Sequence, residues 1–330
     1  MFNVDLAIKF GSNEIIIYRK GLGVVTKEPA YLAVEENGKK FKVKAYGKKA
    51  EKMFLSGSGD VTIYQPIENS EIVNEKMAEV LISGILNDVI QDKFLLSKLS
   101  ALVAVPCALN EKQLKILKKV LHSSGVNKVV FVQNAVCARQ NLEIDTHSRI
   151  MIVDIGKYIT DISVLNDFSF DFGRMYFLGG SNMDSSLTTF IQDNHNLEVS
   201  DLSSEAIKNE IASLYDRDFY KTEYIGIDAN DNFIKNTITA NEVRVAIQNS
   251  YETIFNLIKD VIKELPKEIA EDIYTNGVYF VGGASSIPGL YEYAAKKLDM
   301  PVMVSEDPKD EVIKGAGKLL SKKEFIKIEF

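Results

Sequence analysis

Three turns in this sequence place glycine directly after an apolar, strand-like run. They are Gly11-Ser12-Asn13, Gly156-Lys157-Tyr158 and Gly282-Gly283-Ala284-Ser285. Because glycine has no Cβ, the backbone amides of such turns can approach a phosphate closely. Glycine is common in turns of proteins with any function, so one such turn is weak evidence for a site. Together the three turns indicate a nucleotide bound where two lobes of the chain meet.

The first two turns connect strands in hairpins of similar pattern. Residues 7–18 and 150–165 each contain an apolar strand, a central glycine and a return strand rich in β-branched residues. An internal duplication would explain this similarity, although two ordinary hairpins could also agree by chance.

Helices and buried strands alternate along the rest of the chain. Helical periodicity and capping residues predict helices at 74–91, 110–123, 181–193, 203–214, 240–265, from 288, and at 310–320. Apolar runs predict buried strands at 99–105, 128–132, 278–281 and 302–304. The polar segment 216–235 predicts a loop. Strand, helix and strand in succession predict an α/β fold with parallel strands.

Composition limits the possible functions. The 330 residues are 46 % hydrophobic and 26 % charged, which suits two domains or one large bilobed domain. With only Cys107, Cys137 and three histidines, the chain has no disulfide framework or Cys/His zinc pattern, which favours a reducing cytosol. Asp5 and Lys9 argue against a signal peptide. The net charge of −7 argues against a general nucleic-acid partner.

The motifs, in this order, resemble the MreB family of bacterial actin-like cell-shape proteins over nearly the whole chain. Residues 5–12, DLAIKFGS, are similar to the family's first phosphate hairpin, DLGIDLGT, and residues 153–156, VDIG, to its second, VDIGGGTT. Residues 178–184 (LGGSNMD), 205–208 (EAIK) and 281–285 (VGGAS) are similar to its VGGDEMD, EEIK and TGGGA motifs.

This resemblance implies an α/β, actin-like fold of two lobes, each a mixed sheet flanked by helices, with a nucleotide cleft between them. The first lobe would comprise residues 1–145 and 306–330, with a small subdomain at about 31–65. The second would comprise residues 146–305, with a small subdomain at about 181–255. The implied cofactor is ATP, with Mg²⁺ left open. The implied partners are further copies of the chain, other bacterial actins, membrane cell-wall or shape proteins and an anionic membrane surface.

The resemblance also implies the residues of the site. The nucleotide contacts would be Gly11, Ser12, Asn13, Gly156, Lys157, Tyr158, Glu205, Ala206, Ile207, Lys208, Gly282, Gly283, Ala284 and Ser285. Asp154 would organise Mg²⁺ and water, and Gln133 would position the attacking water. The chain departs from the family pattern on the phosphate side. Lys9 replaces an aspartate of the first hairpin, Gln133 replaces an acid, and Lys157 and Tyr158 stand where the second hairpin has glycines, so that their side chains would crowd the phosphates or replace the charge of the cation. Because a lysine cannot ligate a cation and a glutamine cannot act as a base, we expect weak or absent hydrolysis. Bound nucleotide and an empty cleft both remain open.

Phe94, Leu95 and Leu96 lie between lysines, which fits insertion into an anionic membrane surface, although the same residues could pack in the core. The leading functional hypothesis is a filament protein of the cytoplasm, or of the inner membrane face, that acts in cell shape. One alternative is an active ATPase or small-molecule kinase of the same superfold. Another is a non-polymerising adaptor of another bacterial actin.

Overall fold

The computed structural model describes residues 3–11, 14–38, 40–57, 61–90, 98–144, 148–216 and 219–321. The chain divides into two compact units, one of Met1–Ile144 with Asp310–Phe330 and one of Asp145–Lys309. Each unit combines a mixed β-sheet with helices, in agreement with the predicted actin-like α/β fold. Among the described residues, no helix combines the length and apolar character that crossing a membrane requires.

The predicted succession of strand, helix and strand is found at Lys98–Val105, Glu111–Ser123 and Val126–Gln133, whereas the elements of each unit begin with a run of consecutive strands. Those of the first unit are β1 (Asn3–Phe10), β2 (Glu14–Arg19), β3 (Gly23–Pro29), β4 (Leu32–Asn37), β5 (Lys40–Tyr46), α1 (Lys48–Leu55), β6 (Thr62–Tyr64), β7 (Ile67–Glu68), β8 (Glu71–Ile72), α2 (Glu75–Val89), β9 (Lys98–Val105), α3 (Glu111–Ser123), β10 (Val126–Gln133) and α4 (Asn134–Asn141). Those of the second unit are β11 (Arg149–Ile155), β12 (Thr160–Asn166), β13 (Ser169–Tyr176), α5 (Gly180–His195), α6 (Asp201–Ile211), β14 (Lys221–Ile227), β15 (Phe233–Thr239), α7 (Ala240–Glu264), α8 (Lys267–Asn276), β16 (Val278–Val281), a 3₁₀ turn (Gly283–Ser286), α9 (Leu290–Leu298) and β17 (Val302–Val304). The last helix, α10 (Glu311–Leu319), belongs to the first unit.

The main sheets of the two units have the same topology. The strand order is β3-β2-β1-β9-β10 in the first unit and β13-β12-β11-β16-β17 in the second. In each sheet, three consecutive strands pair antiparallel, and the first of them also pairs parallel with a later strand. An internal duplication would produce this shared topology, so the structure favours duplication over a chance agreement of two hairpins.

Local sequence signals account for the ends of several helices. The side chain of Asn110 accepts a hydrogen bond from the amide of Gln113 (3.0 Å), whose side chain accepts one in return from the amide of Asn110 (2.7 Å). This capping box starts α3 where the sequence predicts it. Helix α7 ends at Glu264 because Pro266 favours an extended conformation for Leu265, whose ψ is 150°.

The predicted loop at 216–235 was wrong, because β14 and β15 form an antiparallel hairpin there. Exposed and buried residues alternate along β14, as they do in a strand with one solvated face. The Asp228 carboxylate closes the connection by accepting hydrogen bonds from the amides of Asn230 (2.8 Å) and Asn232 (2.9 Å). The polar composition therefore reflects a solvent-facing hairpin. Helix α6 also ends at Ile211, before the predicted end at residue 214.

The core of the second unit holds its sheet against α7. Ile247, Tyr251 and Phe255 of this helix pack in one cluster with Val153 of β11 and Phe280 of β16, and each of them is at most 1 % exposed. Burial of side chains this large stabilises the unit by roughly 1.5–3 kcal/mol each. The strands that precede two of the glycine turns are therefore firmly packed.

Candidate functional site

Two of the predicted glycine turns lie at one edge of the sheet in the second unit. Strands β11 and β16 are parallel, with Met151 opposite Val278 and Asp154 opposite Val281. Their carboxyl ends therefore reach the same edge, and the turns at 156–158 and 282–285 follow directly. Ligands of open α/β sheets commonly bind outside the carboxyl ends of parallel strands.

The turn after β11 is bound to the start of α5. The amide of Gly180 donates to the carbonyl oxygen of Gly156 (3.0 Å), and the amide of Ser181 donates to that of Lys157 (2.7 Å). A Cβ on Gly179 would lie 2.7 Å from both carbonyl oxygens, so this close approach requires glycine. The backbone of the turn is therefore fixed to α5 without the use of its side chains.

The side chain of Lys157 extends from this turn to α6. Its Nζ lies 2.9 Å from Oε2 of Glu205, and the two side chains are 25 % and 29 % exposed. Burial lowers the pKa of Lys157, but the hydrogen bond and the negative charge of Glu205 outweigh it and raise the pKa above its ordinary value. Lys157 is therefore a charged group at neutral pH, in an ion pair that solvent can reach.

A second ion pair is more deeply buried. The Nζ of Lys208 lies 2.6 Å from Oδ1 of Asp184 and donates to the carbonyl oxygen of Gly180 (3.0 Å). The two side chains are only 14 % and 5 % exposed. Burial raises the pKa of Asp184, against the opposing effect of the lysine. This pair ties α6 to α5, and Asp184 is a site residue that the sequence reasoning missed although it ends the LGGSNMD motif.

Asp154 lies buried at the end of β11, beneath the backbone of Gly282. A Cβ on Gly282, which has a φ of +91°, would lie 2.3 Å from Oδ1 of Asp154 and 2.5 Å from the carbonyl oxygen of Ile155. Across the hairpin Asp154 is paired in register with Asp161, whose carboxylate accepts a hydrogen bond from Ser163 (2.7 Å). The Asp154 carboxylate is thus covered by the turn that follows β16.

The described residues do not form a set of side chains that could hold a magnesium ion without phosphate and water oxygens. In the described ranges, no three His, Cys, Asp or Glu side chains come close enough to hold a metal. Mg²⁺ requires oxygen ligands, whereas Lys9 stands on β1 where the resemblance implied an aspartate. The remaining carboxylate, Asp154, is only 6 % exposed.

The turn after β16 contains both open and packed residues. A Cβ on Gly283 would meet no described atom within 4 Å, so the backbone here is accessible. The carbonyl oxygen of Ala284 accepts a hydrogen bond from the hydroxyl of Tyr251 in α7 (2.8 Å). Ser285 is fully buried and donates to the carbonyl oxygen of Val281 (2.6 Å). A ligand can therefore approach Gly283, while Ala284 and Ser285 fix the turn.

The other predicted residues of the second unit differ in burial: Tyr158 is beside Lys157, Ala206 is on the surface of α6, and Ile207 is in the core. Tyr158 is half-buried, with its ring centroid 5.8 Å from the Nζ of Lys157. Ala206 is exposed on α6, whereas Ile207 is 4 % exposed and packs in the core. Of the EAIK motif, the side chains of Glu205 and Lys208 are thus the ones that contact the elements around the turns.

The first unit holds the remaining predicted residues. Gly11 is half-buried at the end of β1, and its amide donates to the carbonyl oxygen of Glu14 (2.8 Å). Lys9 is half-buried on β1, and Gln133 is half-buried at the end of β10, where it precedes α4. Five predicted residues lie outside the described ranges: Ser12, Asn13, Phe94, Leu95 and Leu96.

Comparisons with known proteins agree with the motifs. Residues 3–328 match the family model of the MreB/Mbl protein. The cell shape-determining protein Mbl of Bacillus subtilis (strain 168) is 29 % identical over 326 residues, which cover 97 % of this chain and 96 % of Mbl.

Two solved structures share the fold. MreB5 of Spiroplasma citri bound to AMPPNP has a TM-score of 0.89 and 23 % identity, covering 99 % of this chain and 98 % of that one. The MamK double helical filament has a TM-score of 0.81 and 17 % identity, covering 97 % of this chain and 99 % of that one. The family model matches nearly the full length of this chain, and the fold is actin-like. This chain therefore belongs to the MreB/Mbl family.

Proposed function

We propose that this protein is an actin-like cytoskeletal protein that binds ATP and assembles into filaments that help to determine cell shape. The observation that carries the proposal is the convergence of two glycine turns and a half-buried lysine, Lys157, at the carboxyl edge of β11 and β16. Family membership, the AMPPNP-bound structure of MreB5 and the filament structure of MamK support nucleotide binding and self-assembly.

The nucleotide would contact two kinds of groups in the second unit. The accessible backbone at Gly283 allows a flat or charged group to approach without a Cβ in the way. Lys157 supplies a positive charge on the opposite turn, and the carboxylate of Glu205 can accept hydrogen bonds from ribose hydroxyls. A nucleotide offers the matching groups, since it joins phosphates, a sugar and a planar base.

We expect turnover to be slow. The amide of Gln133 can orient a water molecule, but it cannot remove a proton as a carboxylate would, and a missing general base typically costs roughly 10²–10⁴-fold. Nucleotide would then act mainly as a bound ligand that favours one conformation of the protein. Rapid phosphate release would instead support the alternative of an active ATPase.

Attachment to the membrane is a further part of the proposal. Phe94, Leu95 and Leu96 are apolar and lie between Lys93 and Lys98, a composition suited to an anionic bilayer. Replacing Phe94 and Leu95 with serine should abolish co-sedimentation with anionic vesicles and leave the circular dichroism spectrum unchanged. Loss of folding in this variant would assign these residues to the core instead.

Sedimentation at high speed, with negative-stain microscopy of the pellet, tests the filament proposal. The full chain should form filaments with ATP and should form fewer without nucleotide. Equal assembly under both conditions would support a filament whose formation does not depend on nucleotide. No assembly under either condition would contradict the proposal and favour a non-polymerising adaptor. Phosphate release measured in the same samples separates binding from turnover.

A further inference from the structure

The turn after β11 carries a cation where the family pattern has small residues. The segment reads Gly156-Lys157-Tyr158 in place of the glycine run of the second phosphate hairpin. The carbonyl oxygens of Gly156 and Lys157 are bound by the first amides of α5, which fixes the backbone from which the lysine extends. Lys157 therefore extends a positive charge from a fixed backbone beside the proposed phosphate site.

The two lysines of the site differ in how strongly they are held. Lys208 contacts both Asp184 and the carbonyl oxygen of Gly180 and is 14 % exposed, so it is committed to holding α5 and α6 together. Lys157 pairs with Glu205, and both of these side chains keep about a quarter of their surface exposed. Because this pair is more open to solvent than the Lys208–Asp184 pair, a phosphate can reach Lys157 and replace Glu205 as its partner.

The side chains of this site would not hold a divalent cation by themselves, so a cation here would depend on phosphate and water oxygens. Within the described part of the chain no three-ligand cluster exists, and the Asp154 carboxylate is covered by Gly282. The negative charge of a triphosphate still requires compensation, because an uncompensated charge beside a packed protein surface is costly. Among the described residues of the turn after β11, the ammonium of Lys157 is a group that can compensate it.

We propose that Lys157 neutralises the nucleotide phosphates in place of Mg²⁺, so that this protein binds ATP without a divalent cation. On binding, the ammonium of Lys157 exchanges the carboxylate of Glu205 for a phosphate oxygen, while the Lys208–Asp184 pair stays intact. This inference rests on the proposed function, since it requires that the site binds a nucleotide.

Isothermal titration calorimetry of the full chain with ATP tests the inference, in EDTA and in excess Mg²⁺. The unaltered protein should bind with affinities that agree within about threefold in the two buffers, whereas Lys157→Gln should bind at least about tenfold more weakly in EDTA. Lys157→Arg, which keeps the charge, should retain most of the affinity. Lys263→Gln removes a lysine of the exposed pair with Asp260 on α7 and serves as the matched control.

The outcomes separate this inference from the proposed function. Binding only in Mg²⁺ would overturn the inference and leave nucleotide binding intact, whereas no binding in either buffer would overturn both. Unchanged EDTA binding by Lys157→Gln would also overturn the role of Lys157. A second measurement on the unaltered protein does not depend on the folding of a variant. In EDTA, ATP should protect Lys157 from acetylation and leave Lys263 unprotected, and equal acetylation of Lys157 with and without ATP would count against the inference.

Discussion

Replacing Gly282 with alanine should destabilise the second unit strongly. The backbone of Gly282 has φ +91° and ψ 158°, a conformation that costs a residue with a Cβ about 1–3 kcal/mol. The new methyl group would also lie 2.3 Å from Oδ1 of Asp154 and 2.5 Å from the carbonyl oxygen of Ile155. Forcing these packed atoms apart costs a further ~1–3 kcal/mol. The two effects together predict a loss of about 2–6 kcal/mol in the free energy of unfolding.

The neighbouring glycine provides a matched control. Gly283→Ala adds the same methyl group one residue later, but that group would meet no described atom within 4 Å. Substitutions of this kind usually change the stability by no more than about 0.5 kcal/mol. If ATP packs against this turn, Gly283→Ala should weaken nucleotide binding without weakening the fold.

Urea denaturation followed by far-ultraviolet circular dichroism measures both variants. Tyrosine fluorescence provides a second probe, since the chain has 14 tyrosines and no tryptophan. If the free energy of unfolding of Gly282→Ala lies within about 0.5 kcal/mol of that of the unaltered protein, the close packing of this turn on Asp154 is refuted. Equal destabilisation by Gly283→Ala would refute the reasoning as well, because the two positions would then not differ in their surroundings.

Three further substitutions test other parts of the structure. Lys208→Met should destabilise the protein by about 3 kcal/mol at neutral pH, because it leaves a buried carboxylate without its cation. Since burial raises the pKa of Asp184 above that of the unfolded chain, this penalty should shrink as the pH falls and the carboxyl group becomes protonated. The hydroxyl of Thr239 caps α7 by accepting a hydrogen bond from the amide of Glu242 (3.2 Å). Thr239→Ala removes this cap and should lower the free energy of unfolding, measured in urea, by about 1 kcal/mol. Gln133→Glu should raise the rate of phosphate release about tenfold or more, because it introduces a carboxylate that can act as a base.

Each of these variants has a control of the same chemistry. Lys263→Met removes an exposed ion pair and should leave stability and its pH dependence nearly unchanged. Thr253→Ala removes an exposed hydroxyl in the middle of α7 and should not destabilise the protein. Gln192→Glu introduces the same charge on an exposed face of α5 and should not alter phosphate release. If a control variant changes stability or phosphate release as much as its test variant does, the corresponding explanation is contradicted.

Much of the framework could be predicted because it depends on short-range signals. The capping residue Asn110 starts α3, and Pro266 ends α7, as the sequence predicts. The β14–β15 hairpin escaped prediction because its polar residues face solvent, and its turn depends on the hydrogen bonds of one aspartate, Asp228. Apolar patterning identifies buried strands more easily than exposed ones.

The candidate site was predictable as segments, but its contacts were not. Gly282 and Gly283 look equivalent in the sequence, and only the backbone angle and the position of Asp154 distinguish them. Lys157 and Glu205 are 48 residues apart, so their ion pair follows from the packing of α6 beside the turn. Motif similarity locates the residues, whereas tertiary packing decides which of them are accessible to a ligand.

Hydrogen–deuterium exchange with and without ATP tests the central claim most directly, since it reports on the backbone amides of each segment. ATP should slow exchange at 155–158, 179–184, 205–208 and 282–285 together and leave the β14–β15 hairpin unchanged. Unchanged exchange at these four segments, or protection confined to other parts of the second unit, would contradict the assignment of this edge as the nucleotide site.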